Sequence, residues 1–133
     1  MEPSLEPEGT APDPAQAATD NVVDIEAAAA GLLEQARAAT AGRAARTLAG
    51  GAGASLKQTM MALVRGARLS EHDSPGSASL QVLRGQVRLI AGDARWDLGA
   101  NEYTLIPSRR HSLESLDDSV VLLTVAAGGE PAA

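Results

Sequence analysis

The chain contains no cysteine and no phenylalanine, and only one tryptophan and one tyrosine among its 133 residues. Without cysteine, disulfides and thiolate metal sites are excluded, and the redox compartment is left open with a lean towards the cytoplasm. Without an aromatic set there is nothing on which to stack nucleobases, so recognition of RNA or single-stranded DNA is not expected. The core must be built from Leu, Val, Ile, Met and Ala, and the 44% hydrophobic content is enough for one domain of this size. Basic residues are also missing from the start of the chain, where Glu2, Glu6, Glu8, Asp13, Asp20 and Asp24 have no Lys or Arg among them. From Glu26 onward acidic residues balance the 11 basic ones, so the net charge of -6 belongs to the N-terminal segment and the folded body is close to neutral. Such a body has no electrostatic footprint for a phosphate backbone. No stretch reaches membrane-spanning length, and the N-terminus lacks a basic n-region followed by an apolar h-region. A soluble, cytoplasmic protein with no nucleic-acid or membrane partner is expected.

What is present falls into three parts. Residues 1–21 hold four of the seven prolines and little apolar surface, a composition that predicts a disordered acidic tail. Residues 22–42 place Ile25, Ala28, Ala29, Leu32, Leu33 and Ala36 at helical spacing, which predicts an N-terminal helix capped by Asp20, Asn21 or Asp24 and ended near Gly42. From 43 to 128 the signal is β, with 129–133 a short C-terminal tail. Strands are expected at Ala44–Leu48, Leu56–Val64, Leu80–Leu83, Gln86–Ala91, Arg95–Leu98, Tyr103–Ile106, His111–Leu113 and Ser119–Val125, each bounded by a turn signal such as Arg84-Gly85 or Gly92-Asp93. Spacing this tight leaves no room for crossover helices, so the fold class is all-β, an antiparallel barrel or sandwich. Val87-Arg88-Leu89 and Trp96-Asp97-Leu98 alternate as half-buried strands do, whereas Val120-Val121-Leu122-Leu123 is apolar on both faces and requires cover on both. That cover is the helix, another sheet or a second subunit.

Two clusters in the β region carry a family resemblance. The first runs Gly66, five residues, His72, one residue, Ser74, three residues, Ala78, six residues, Gly85. The second runs Asn101, five residues, Pro107, one residue, Arg109, one residue, His111, three residues, Ser115. From about Ala44 to Ala126 the chain resembles small single-domain bacterial cupins of the RmlC-like superfamily. Their first motif reads glycine, His, His, Glu, glycine at these places, and their second reads glycine, Pro, glycine, His, Asn. Here Ser74 stands for the second histidine, Ala78 for the glutamate, Asn101 and Arg109 for glycines, and Ser115 for the asparagine; His111 comes one residue early. The resemblance implies an antiparallel jelly-roll β-barrel and sheet-to-sheet association into a homodimer.

The resemblance also implies where a site lies. Cupins generally hold a divalent metal with three histidines and a glutamate, donors that suit Fe, Mn, Ni, Cu or Zn. This chain supplies only His72 and His111 in ligand places, with no negative charge to offset a cation. No cofactor is therefore expected, and a divalent transition metal at His72 and His111 is the alternative. In an extended strand Asp73 points away from the face of His72, and Glu114 away from that of His111. The expected pocket is lined by His72, Ser74, Ala78, Leu80, Val82 and His111, with Arg109 at the mouth as a candidate anchor for an anion. No Ser/His/Asp order or paired carboxylates identify catalytic residues. Trp96 reads as core or interface, and Met60-Met61 as core filling. Three functions follow: a small-molecule-binding, non-catalytic cupin with a degenerate metal site; a metal-dependent oxygenase or isomerase working from two histidines; and a regulatory protein acting through its dimer surface and N-terminal segment.

Overall fold

The computed structural model describes residues 22–73 and 76–126. The expected acidic tail at 1–21, the C-terminal tail at 129–133 and Ser74 lie outside the described residues. One helix is followed by nine strands: α1 (Ile25–Ala38), β1 (Arg43–Ala49), β2 (Leu56–Leu63), β3 (Arg68–His72), β4 (Ser77–Arg84), β5 (Gln86–Ala91), β6 (Ala94–Gly99), β7 (Tyr103–Leu105), β8 (His111–Ser115) and β9 (Ser119–Ala126). The strands form two antiparallel sheets, ordered β1-β2-β9-β4-β7 and β3-β8-β5-β6. They face one another across a core that includes Leu63, Val82, Val87, Leu89 and Val121. Among the described residues no helix is long and apolar enough to cross a membrane.

Helix α1 starts where the Asp24 side chain accepts the Ala27 N–H at 3.1 Å, with Glu26 in its first turn and Arg37 in its last, both favourable to the helix dipole. Its buried stripe is Ala29, Leu32, Leu33 and Ala36. These side chains pack on Met60 and Ala62 of β2 and Val120 of β9, on the outer face of the larger sheet. The cover required by the doubly apolar strand is thus the helix at Val120, while Val121 and Val125 face the barrel interior. Met60 and Met61 are both filling, on opposite sides of β2, under the helix and inside the barrel respectively. Trp96 is on an edge strand and 37% exposed, so it is not a core residue.

Four connections cross between the sheets at one end of the barrel: β2 to β3, β4 to β5, β6 to β7 and β8 to β9. They are stitched together there. Gly66 N–H donates to the Ser115 carbonyl and Ser115 N–H to the Ala67 carbonyl, each at 2.9 Å, and Leu116 N–H donates to the Gln86 carbonyl at 2.8 Å. The buried Ser119 hydroxyl accepts the Gln86 N–H at 3.0 Å and reaches the Asp117 carbonyl at 2.7 Å, while the Ser115 hydroxyl reaches the Leu63 carbonyl at 3.2 Å. Asp118 then ties in the helix, accepting the Arg65 N–H at 2.9 Å on one oxygen and Arg37 Nη2 at 3.2 Å on the other. The opposite end, where β3 finishes and β8 begins, is the mouth.

The outer faces differ in charge. On the smaller sheet Arg88 pairs with Asp97 at 2.8 Å, beside Glu114, which lies opposite Arg88 on β8. On the part of the larger sheet that α1 leaves open, strand alternation brings Gln58, Thr124, Ser79 and Leu105 into one row and Leu122, Gln81 and Tyr103 into the next. None of these residues is charged, and Tyr103 and Leu105 are 60% and 69% exposed.

Gly85 sits at φ 83° in the β4–β5 turn, and a Cβ there would collide with the Asp118 carbonyl and the Ser119 hydroxyl and lie 2.8 Å from Ser119 Cα. Gly66 has a similar φ of 87° with open space around it. Gly85→Ala is expected to destabilise by about 3 kcal/mol or more, and Gly66→Ala by about 1–2 kcal/mol from backbone strain alone. Urea unfolding of the two variants checks the ranking. Asp118 is held below the ordinary aspartate value of about 3.9, first by the Arg65 N–H and then by Arg37. A lowered folded-state value means that Asp118 contributes stability above the unfolded value and loses it as pH falls through the folded one. The stability difference between the parent and Asp118→Asn should therefore shrink as pH falls below about 4. Some acid dependence should persist in the variant, since Asp97 is likewise lowered by its hydrogen bonds to Arg88.

Candidate functional site

Period-two alternation sends one face of every strand inward, and near the mouth those inward residues leave a cavity of about 310 Å³. The larger sheet contributes Met61, Leu80 and Leu123, the last two being cross-strand partners. The smaller sheet contributes Leu69, Leu89 and Leu113, with Leu113 paired to both of the others. Ile106, just after β7, closes one side, and the polar part is Ser70, His72 and His111.

The two histidines come from facing ends of β3 and β8, where they are register partners. Their rings meet edge to face, with centroids 4.4 Å apart and planes at 64°. His72 is exposed at the rim, whereas His111 is 4% exposed. Each ring is oriented by its own strand: His72 Nδ1 lies 2.9 Å from the Ser70 carbonyl and His111 Nδ1 2.9 Å from the Arg109 carbonyl. A carbonyl oxygen only accepts, so each Nδ1 carries the proton and donates it, and in the neutral ring Nε2 keeps the lone pair. Among the described residues His111 Nε2 has no hydrogen-bond partner.

Of the residues expected to line the pocket, His72, Leu80 and His111 do so. Ala78 is buried and inward near the mouth, opposite Val125, but does not line the cavity. Val82 faces inward too, yet it pairs with Val121 at the stitched end and is wholly buried in the core, too deep to line it. Arg109 also lies outside the lining: it is exposed, and its guanidinium reaches the β5–β6 turn, 3.8 Å from where a Cβ on Gly92 would stand. What Arg109 brings to the site is its backbone carbonyl. The neighbouring Arg110 is held outside by Glu71 and Asp73, at 3.5 and 3.4 Å. Sequence reasoning missed Met61, Leu69, Ser70, Leu89, Ile106, Leu113 and Leu123 as lining residues, although Ser70 stands two residues before His72 and so shares its face.

The donor set does not fit a divalent metal. Among the described residues no group of three or more His, Cys, Asp and Glu side chains is arranged to hold one. Two imidazoles supply no negative charge, Ala78 stands where the resemblance would put a glutamate, and the acids on and after β3, Glu71 and Asp73, are engaged by Arg110.

No family model matches the chain, and no curated protein matches it in sequence. Solved structures do match in shape. A conserved Streptococcus pyogenes protein of unknown function, SPY1581, is 22% identical with a TM-score of 0.60, covering 66% of this chain and 76% of its own. The cupin superfamily protein DSY2733 from Desulfitobacterium hafniense is 16% identical with a TM-score of 0.59, covering 64% and 77%. The DMSP lyase DddQ from Ruegeria pomeroyi is 22% identical with a TM-score of 0.57, and the match covers 68% of this chain but 49% of that one. Two antiparallel sheets, the mouth-end histidines on β3 and β8 and these likenesses agree: the chain has the cupin fold.

Proposed function

We propose that the protein binds a small organic molecule in the cavity between its sheets and does so without a metal, a cupin whose metal site is degenerate. The observation that carries this is the buried His111 ring, its Nε2 without a partner among the described residues, lining a cavity whose other lining residues are apolar apart from Ser70 and His72. A buried polar atom without a partner is costly in a folded protein, and a ligand that satisfies it gains both that hydrogen bond and the burial of apolar surface. The volume is at the small end for ligand pockets. A screen of small apolar fragments should shift the methyl resonances of Met61, Leu80 and Leu123 in a carbon-edited NMR spectrum. Shifts confined to other parts of the chain, or none at all, would sink the reading.

A metal-dependent oxygenase or isomerase would require a divalent ion on two neutral imidazoles, with no carboxylate to balance it. Dialysed protein is expected to hold no stoichiometric transition metal; a tightly retained one would overturn the metal-free reading. The double variant Ser74→His with Ala78→Glu adds the missing imidazole and the missing charge. Its affinity for Zn²⁺ should exceed that of the parent by orders of magnitude and fall again as the histidines protonate at lower pH. Equal affinity in parent and variant would mean that these positions are not the ligand places of the fold.

Self-association is favoured by a separate observation, the uncharged outer face around Tyr103, Leu105 and Leu122. A neutral face meets a second copy of itself about a twofold axis without opposing like charges. Sedimentation at tens of micromolar should show a homodimer for the parent and a monomer for Tyr103→Glu with Leu105→Glu. A monomeric parent excludes this face as a stable interface.

A further inference from the structure

We infer that the ligand of this cavity is a compact, uncharged molecule with an apolar body and a hydrogen-bond donor such as a hydroxyl, and that carboxylates and phosphates are selected against. The inference rests on the small-molecule reading above and adds the chemistry of the group that is recognised.

The polarity of the two rings is set by two backbone carbonyls. Because the Ser70 and Arg109 carbonyls each take an Nδ1–H, the neutral imidazoles present Nε2 as acceptors and have no second proton to offer. The deeper acceptor belongs to His111, which is 4% exposed and otherwise unpartnered among the described residues. His72 lies against that ring at 4.4 Å and limits its rotation, so the acceptor is fixed in place. A ligand therefore matches the deep end of the site by donating, while at the rim the Ser70 hydroxyl can either give or take a hydrogen bond. An anion that reaches His111 brings another acceptor to an acceptor, and the uncharged Ser70 hydroxyl is the one side-chain donor in the described lining.

No cation in the lining compensates. The lining contains no Lys or Arg. Arg109 extends over the β5–β6 turn, and Arg110 is occupied by Glu71 and Asp73. A carboxylate drawn in against Leu80, Leu89 and Leu113 would lose its hydration with only histidine protonation to offset it. An alcohol loses far less, and its single proton is what His111 Nε2 lacks among the described residues. The cavity volume of about 310 Å³ keeps the body small.

Three probes of one shape separate the outcomes: cyclohexanol, methoxycyclohexane and cyclohexanecarboxylate, titrated into the full chain at pH 8 with the cavity methyl groups observed by NMR. The alcohol should bind about tenfold tighter than the ether, which accepts but cannot donate, and the carboxylate most weakly. In His111→Leu the alcohol should lose that advantage while the ether still binds. If alcohol and ether bind alike, or the carboxylate binds best, the donor inference is overturned and the small-molecule reading survives. If no probe enters the cavity, the small-molecule reading itself fails. Should His111→Leu not fold, a long-range proton–nitrogen spectrum of the parent decides: the inference requires the His111 proton on Nδ1, and a ring protonated on Nε2 alone overturns it.

Discussion

The fold depends most on the close approach of the Gly85 turn to the segment between β8 and β9. There the chain passes between the two sheets, and a side chain on Gly85 would occupy the space of the Asp118 carbonyl and the Ser119 hydroxyl. Ser115 and Ser119, both buried, donate to carbonyls at the end of β2, at the start of β5 and in the β8–β9 connection, so neither hydroxyl is left buried without a partner. Asp118 extends the same cluster outward to the Arg65 backbone and to Arg37 on the helix. One end of the barrel is therefore closed by short, mutually satisfied polar contacts. The other end is left to side chains alone, and the cavity opens there.

This division of labour explains why an aliphatic barrel without phenylalanine still holds an open pocket. At the stitched end the inward residues Leu63, Val82, Val87 and Val121 are fully buried and fill the space between the sheets. Toward the mouth, Leu80, Leu89, Leu113 and Leu123 are set at the same inward positions but border the cavity. The two histidines at the rim are held by carbonyls of their own strands, so their orientation needs neither a metal nor a ligand. Rings anchored in this way would lower the ordering cost of binding a ligand there.

Much of this was legible in the sequence, and the failures have physical causes. Gln86–Ala91 was read with its observed bounds because Val87 and Leu89 alternate with polar neighbours between two glycine turns. Strand β3 went unread: Arg68-Leu69-Ser70-Glu71-His72 has one aliphatic residue, since an edge strand beside the mouth is wet on much of its surface. Leu80 and Val82 were given one role because alternation reveals the face of a strand and not the depth along it. Only the register with Leu123 and Val121 separates a lining residue from a core one. Arg109 was singled out for its charge, but its contribution is a carbonyl, and any residue in that turn has the same carbonyl to offer. The cover of β9 had three candidates, and packing of Ala29, Leu32, Leu33 and Ala36 against Val120 assigns it to the helix.

The chemistry of the site follows from charge balance more than from the histidines themselves. Anchoring Nδ1 to a carbonyl is how a metal-ligating histidine is commonly oriented, with Nε2 turned to the ion. The same anchoring is present here, but Ala78 stands where the resemblance would put a glutamate, and no acid of the described residues lines the cavity. With a carboxylate, two such rings would form part of a site for a cation. Without one, what remains is a pair of anchored rings above an apolar floor and nothing to balance a divalent charge. The loss of one acidic side chain can thus leave the backbone and the anchoring of both rings in place and still remove what a cation needs.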